Sequence, residues 1–186
     1  NEIKNFPSKF TSKIILIDSL IRKEFYSAKS TENINKVINL LIIGGSQSTK
    51  LFDTKVKNSV IKLSKEYKLK VFHQTNFKNY ENLRNFYYKN NIENELFYFR
   101  NNIAEFMNQT NVCVTRAGAS TLAELTFLNI PFLAIPLPLA KDDHQFQNAL
   151  FYKNMNCCWL LKQNDLKDDV LFDNLSNIIR DNEDYL

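Results

Sequence analysis

The stretch that most constrains the fold is Val37-Ile-Asn-Leu-Leu-Ile-Ile43, which runs straight into Gly44-Gly45. A near-continuous apolar run of this length, closed by two glycines, is too short for a buried helix and does not alternate as a half-solvated strand would. It reads as a strand buried on both faces, and such strands belong to parallel sheets covered by helices on either side. The rest of the chain keeps that rhythm. Phe52, Val56, Val60, Leu63 and Tyr67 recur at three and four, which predicts one amphipathic helix from Lys50. Strands are then predicted at Lys70–Phe72, Leu96–Phe99, Val112–Thr115, Phe132–Ile135 and Cys157–Leu161, with helices between them and a last helix over Asp168–Ile179. A further short strand is predicted at Ile14–Ile17. Strands and helices in alternation make an α/β fold with a parallel sheet. Right-handed crossovers bring every strand's carboxyl end to one edge, where ligands of such sheets bind.

Composition removes several classes of function. The 186 residues are 44% hydrophobic and 24% charged, as expected of one globular domain. A formal charge of +4 is mild. It suits an anionic ligand or weak attraction to an anionic membrane surface, but no Lys/Arg block marks a nucleic-acid footprint. There is no run of about 18 apolar residues and no signal-peptide pattern. The three cysteines, Cys113, Cys157 and Cys158, have neither disulfide nor metal spacing and read as reduced core residues of a cytosolic protein. The richness in Asn, Lys and Ile, with only three Gly, reads as a codon-composition bias with little functional content. The chain begins at Asn1 without an initiator Met, which suggests a fragment or processed form.

Three segments at the predicted sheet edge carry unusual residues. Gly44-Gly45-Ser46 is a tight strand-to-helix turn with a hydroxyl that can donate to a phosphate oxygen, or a plain turn. It lacks the second Gly and the Lys-Thr pair of a P-loop, and the third Gly of the dinucleotide fingerprint. Arg116-Ala-Gly-Ala-Ser-Thr-Leu-Ala-Glu124 joins a strand to a helix through small residues. The first N–H groups of a helix lack intrahelical partners and sit at the positive end of its dipole, so this is an anion site in waiting. Glu124, one turn in, can accept two hydrogen bonds from a vicinal diol such as a ribose. The alternative is an ordinary capped helix, with Ser120 or Thr121 as cap and Glu124 closing a capping box. Asp142-Asp-His-Gln-Phe-Gln-Asn148 opens another helix, with Asp142 or Asp143 as cap and with amide and imidazole groups suited to sugar hydroxyls. A metal site of the two Asp and His144 is disfavoured, because adjacent carboxylates face different ways. His73 and Ser46 do not make a hydrolase triad, since no G-x-S-x-G elbow is present. Arg22 and Arg116 are the cations nearest the edge; either could hold a diphosphate, and Arg116 could at least equally be a surface charge or a packing residue.

In order and spacing, Gly44-Gly-Ser-Gln47, His73-Gln-Thr75, Arg116-x-Gly-Ala-Ser-Thr-Leu-Ala-Glu124 and Asp142-Asp-His-Gln-x-x-Asn-Ala149 resemble the C-terminal domain of the MurG family. These are the N-acetylglucosaminyltransferases of peptidoglycan synthesis, and the resemblance covers about residues 14 to 186. It implies a Rossmann-like parallel sheet with helices on both faces, one half of a GT-B glycosyltransferase. Residues 1–17 would be an interdomain linker or the end of a missing N-terminal domain, and 18–186 the UDP-GlcNAc-binding domain. By position, Ser46 would contact the donor diphosphate, Arg22 would lie near the nucleotide, and the Arg100 backbone would read the uracil edge. Ala119, Ser120, Thr121 and Leu122, with Ala123 beside them, would supply the helix N-terminus for phosphate. Glu124 would bind the ribose, and Gln145 with His144 the GlcNAc hydroxyls. The chain departs from the family at Ser48 and Asn76, where glycines are usual, and at Asp18-Ser-Leu20, where Gly-Asn-Pro is usual.

The resemblance implies inverting transfer of GlcNAc to the muramoyl 4-hydroxyl of lipid I, giving lipid II, with no metal and no cofactor. The general base would come from the N-terminal half, so the chain would be inactive alone. The full enzyme would sit peripherally on the cytoplasmic face of the inner membrane, with roles in cell shape and division. The alternatives are the catalytic subunit of a dolichol-linked GlcNAc transferase, a nucleotide-sugar hydrolase, or a non-catalytic nucleotide-sugar-binding module.

Overall fold

In the computed structural model of the chain, the described residues are 7–15, 17, 19–27, 37–45, 49–98, 103–138, 140 and 143–182. The first strand, β1 (Ile38–Ile43), forms where the apolar run predicts it. It is flanked by β2 (Leu69–Gln74) on one side and β4 (Val112–Thr115) on the other, with β3 (Glu93–Phe97), β5 (Phe132–Ala134) and β6 (Trp159–Leu160) outside them. All pairings are parallel and the order is β3-β2-β1-β4-β5-β6. The helices are α1 (Thr49–Lys55), α2 (Lys57–Glu66), α3 (Phe77–Lys89), α4 (Ala104–Met107), α5 (Ala119–Phe127), α6 (His144–Asn154) and α7 (Asp168–Asp181).

Side chains alternate across β1, and each face feeds a different core. Leu40 and Ile42 join Phe52, Val60, Leu83 and Leu175 from α1, α2, α3 and α7. Leu41 and Ile43 join Phe106, Leu122, Leu125 and Tyr152 from α4, α5 and α6. Every one of these residues is buried, and burying each Leu or Ile contributes about 1.5–3 kcal/mol. Burial on both faces is why the strand reads as an unbroken apolar run.

Three sequence expectations change. The helix predicted from Lys50 is two helices, separated at Val56. The strand predicted at Leu96–Phe99 begins at Glu93; as the sheet's edge it keeps Glu93 and Glu95 in solvent, so its sequence lacks an apolar run. No strand forms at Ile14–Ile17 among the described residues, where Ile15 and Ile17 are 84% and 73% exposed.

The asparagines also have a structural use. Asn91, Asn129 and Asn156 adopt φ of 52°, 55° and 56° just after α3, α5 and α6. In each case the next residue's N–H returns to a carbonyl of the last turn: Ile92 to Tyr87, Ile130 to Leu125, Cys157 to Tyr152. These are left-handed helix ends of the kind glycine usually supplies, and Asn is the residue that best replaces it there. In a chain with three glycines, the compositional bias is doing glycine's work.

Of the three free cysteines, Cys113 and Cys158 are buried packing residues as expected, whereas Cys157 is only half-buried at the edge of the core. Burial pushes the Cys113 thiol well up and the Cys158 thiol up to about 12. Among the described residues, no helix is long and apolar enough to cross a membrane.

Candidate functional site

The strand order reverses direction between β1 and β4. The carboxyl ends of those two strands therefore diverge into crossovers on opposite faces, and a crevice opens above them. The Arg116 N–H donates to the Ile43 carbonyl at 3.2 Å, which fixes the two strand ends side by side. The Gly44-Gly45 turn leaves from one end and the 116–124 stretch from the other, so the geometry joins two of the segments singled out in the sequence.

Helix α5 begins at Ala119, with Gly118 in the cap position and no side chain capping it. This overturns the capping-box alternative, in which Ser120 or Thr121 would cap and Glu124 would close the box. The first intrahelical bond runs from the Leu122 N–H to the Gly118 carbonyl at 3.0 Å, so the N–H groups of Ala119, Ser120 and Thr121 have no acceptor within the helix. Ala119 and Ser120 are exposed and Thr121 half-buried, while Leu122 and Ala123 turn into the core. The helix thus presents uncapped N–H groups to the crevice and anchors itself by the residues behind them.

Glu124 lies inside α5 and is 0% exposed. A buried carboxylate needs a partner, and it has one: Arg22 donates from Nε to Oε1 at 2.6 Å and from Nη2 to Oε2 at 2.8 Å. Arg22 reaches it because the adjoining 3-10 turn, Lys23–Ser27, is pinned to the same face. Phe25 is 1% exposed in the core beside α5, and Tyr26 meets Phe127 edge-on with centroids 5.3 Å apart. The Arg22 guanidinium also lies over the Phe25 ring and 3.6 Å from Glu24. The hydrogen bond to Glu124, opposed in part by burial, raises its already high pKa, so it stays charged.

Arg116 is a packing residue rather than a free cation at the edge. Its Nη1 donates to the carbonyls of Ile135 and Pro136, both at 3.0 Å, and its Nη2 to Gln163 Oε1 at 2.7 Å. The guanidinium lies over the Phe52 ring, and burial draws its pKa down to about 10. It clasps the end of β5 to the 163–165 turn, a role for which Gln163 carried no signal in the sequence.

The third segment is anchored from two points. Gln145 Oε1 accepts the Leu137 N–H at 2.9 Å, and Asn148 Nδ2 donates to the Ala117 carbonyl at 3.1 Å. Gln145 therefore keeps its NH2 group and a second lone pair for a ligand. His144 is exposed at the first turn of α6. Asp143 occupies the cap position at φ 52° but makes no side-chain cap bond, contrary to the capping expected of it. Pro136, Leu137, Phe146, Lys162 and Gln163 line an open recess of about 290 Å³ behind this segment. A larger recess of about 810 Å³ lies by Arg84, Tyr88 and Asn91, at the amino end of the edge strand and away from this crevice. Ser46, Arg100 and Asp142 lie outside the described residues.

His73 is at the end of β2, as predicted, but it is buried rather than presented at the edge. Its Nδ1 is 2.7 Å from the Tyr87 hydroxyl and its Nε2 is 3.3 Å from Asp53 Oδ1. Burial lowers its pKa, and the Asp53 carboxylate opposes this only in part. Asp53 did not stand out in the sequence, and Gln74 did so only as part of the His73-Gln-Thr75 motif; their partners become visible only in the folded sheet.

Residues 39–186 match the family described as Glycosyltransferase family 28 C-terminal domain. The whole chain is 51% identical to 52% of a Pelagibacter ubique protein named UDP-N-acetylglucosamine–N-acetylmuramyl-(pentapeptide) pyrophosphoryl-undecaprenol N-acetylglucosamine transferase. A Rickettsia canadensis protein of the same name is 32% identical over 95% of the chain and 51% of its own length. The chain thus spans about half the length of these curated relatives. The crystal structure of Acinetobacter baumannii MurG superposes with a TM-score of 0.74 at 26% identity, covering 83% of this chain and 46% of that one.

Proposed function

The chain belongs to the glycosyltransferase family 28 C-terminal domain, and from that membership we propose that it is the donor-binding half of a MurG-type enzyme. The enzyme moves GlcNAc from UDP-GlcNAc to the muramoyl 4-hydroxyl of lipid I, the undecaprenyl-diphosphate-linked muramoyl pentapeptide, and releases UDP. The observation that carries the reading is the uncapped N-terminus of α5 at the divergence of β1 and β4, with Glu124 on the same helix.

The acceptor oxygen attacks the anomeric carbon from the face opposite the diphosphate, the bond to the diphosphate oxygen breaks with inversion, and the hydroxyl proton passes to a base. As that bond breaks, negative charge grows on the diphosphate. The N–H groups of Ala119, Ser120 and Thr121 stabilise it without reorganising, which is the main catalytic contribution a fixed set of dipoles makes, and the Ser46 hydroxyl adds a further donor. Glu124 takes the ribose hydroxyls, the Arg100 backbone the uracil edge, and Gln145 with His144 the GlcNAc hydroxyls. The base and the acceptor site belong to the other half of the enzyme. The product feeds peptidoglycan synthesis and hence cell shape and division. The lipid-linked acceptor places the full enzyme peripherally at the cytoplasmic face of the inner membrane.

Isothermal titration of the chain with UDP-GlcNAc, UDP-glucose and UDP tests the reading. Binding that prefers UDP-GlcNAc and is lost in Glu124→Ala supports it. Equal, negligible heats for all three ligands overturn it, and efficient transfer to lipid I by these 186 residues alone overturns the placement of the base.

A further inference from the structure

Helix α5 starts without a cap although its own backbone would accept one. The cap residue, Gly118, has φ −71° and ψ 132°, extended backbone that any residue adopts and the conformation from which a side chain caps a helix. Space is available as well. Among the described residues, a Cβ at Gly118 would meet only Thr121 Oγ1, at 3.9 Å, an ordinary contact. Ser, Thr, Asp or Asn there would satisfy one of the free N–H groups and stabilise the helix more than glycine does. Nor is glycine a default filler in this chain, which has three of them and uses Asn at the left-handed helix ends. The fold thus keeps a bare terminus that its own side chains could have covered.

The connector into this helix is held from behind. Thr115 Oγ1 donates to the Arg116 carbonyl at 2.9 Å, Asn148 Nδ2 to the Ala117 carbonyl at 3.1 Å, and the Leu122 N–H to the Gly118 carbonyl at 3.0 Å. A trans peptide is planar and sets its N–H opposite its carbonyl, and among the described residues no peptide bond is cis. Turning the Ala117 carbonyl to Asn148 therefore turns the Gly118 N–H away from α6. Helix α6 packs against α5 and β6, on the side of β4 away from β1, so this N–H faces the side on which the crevice opens. Among the described residues nothing accepts it. Asn148 is half-buried and shares its helix face with Gln145, which holds the Leu137 N–H, so one face of α6 secures the exits of both β4 and β5.

We propose that the Gly118 N–H is a further hydrogen-bond donor to the sugar diphosphate, that the diphosphate caps α5 in place of a side chain at Gly118, and that Asn148 is the positioning residue that aims this N–H. The inference rests on the donor-site reading above and extends it to one residue before the helix and one on α6.

The test sets stability against binding and diphosphate against nucleoside. Affinities for UDP and for uridine are measured on the chain, on Gly118→Asp and on Asn148→Ala, by titration and by ligand-observed NMR, with thermal melts alongside. In Gly118→Asp a built-in carboxylate caps the helix, so the protein melts at or above the unsubstituted chain, yet UDP affinity falls by about tenfold or more while uridine affinity is kept. A glycine present only for the fold gives no such opposition of signs. A Gly118→Asp chain that melts clearly lower, or does not fold, shows that the fold itself requires glycine there and overturns the inference. Asn148→Ala, a change that suits a helix, lowers UDP affinity about tenfold and keeps uridine affinity, because the Gly118 N–H is no longer aimed. An unchanged UDP-to-uridine ratio in either folded variant overturns the inference and leaves the donor-site reading standing. Absence of UDP binding by the unsubstituted chain overturns both.

Discussion

Arg22 and Glu124, 102 residues apart in sequence, form a two-pronged ion pair in which the carboxylate is fully buried and the guanidinium is about half exposed. Both carboxylate oxygens that the proposed donor site assigns to the ribose are therefore already engaged. Each oxygen has further lone pairs, so a ribose can share the carboxylate with Arg22 or displace it. In both cases Arg22 holds Glu124 oriented while the site is empty.

Removing only the cation should leave a buried charge without a partner. Arg22→Ala is expected to lower stability by about 2–3 kcal/mol, measured by urea unfolding. In a Glu124→Gln background the same substitution should cost under about 1 kcal/mol, because no charge is stranded. Equal costs in the two backgrounds would show that the pair contributes nothing beyond its separate side chains.

His73 supplies a pH dependence with a definite sign. Its folded-state pKa lies below the ordinary value of 6.5 because burial disfavours the imidazolium. The unfolded chain therefore binds the proton more readily, and the native state loses stability as pH falls below about 6.5. His73→Gln keeps a hydrogen-bonding group beside Tyr87 but cannot titrate. The stability difference between the two proteins should accordingly shift against the His73 form between pH 7.5 and pH 5.5. Melting curves that run parallel across that interval contradict the burial of a neutral imidazole.

Legibility in the sequence followed burial. β1 and β4 are covered on both faces, so an unbroken apolar run was sufficient to find them. β3 is an edge whose Glu93 and Glu95 meet water, and periodicity registers only its inner half. At Ile14–Ile17 the same apolar signal misled, since Ile15 and Ile17 are exposed in this chain. The site divides in the same way. Local motifs pointed to the α5 terminus, Glu124 and Gln145, because each belongs to a short run of recognisable residues at a helix start. The contacts of Glu124 with Arg22, Arg116 with Gln163 and Gln74 with Gly45 span 102, 47 and 29 residues. Nothing local encodes those pairings, and they become readable only from the strand order.

The left-handed asparagines make a conservative series. Asn91, Asn129 and Asn156 each end a helix at positive φ, where a side chain with a Cβ and no local hydrogen bond is strained by about 1–2 kcal/mol. Alanine at any one of them should lower stability by about 1 kcal/mol, and glycine should leave it level or slightly raise it. Chemical denaturation of the six single variants checks the pattern. Alanine tolerated as well as glycine would mean that the last turns are held by their apolar flanks alone.

Arg116 offers the sharpest contrast between charge and shape. Its planar fork reaches two carbonyls and a carboxamide at once, and an ammonium on a flexible stem cannot match those directions. Arg116→Lys keeps the charge but should still cost about 2 kcal/mol, and Arg116→Met more, because the Ile135 and Pro136 carbonyls and Gln163 then lack a donor. The loss also has a functional direction. Pro136 leads into Leu137, whose N–H holds Gln145, so loosening the clasp should disturb the proposed GlcNAc contacts before the nucleotide contacts. Arg116→Lys is expected to narrow the gap between UDP-GlcNAc and UDP affinity while leaving UDP affinity within about twofold. Titration of both ligands on the folded variant decides it: a parallel fall in the two affinities would place Arg116 with the diphosphate after all.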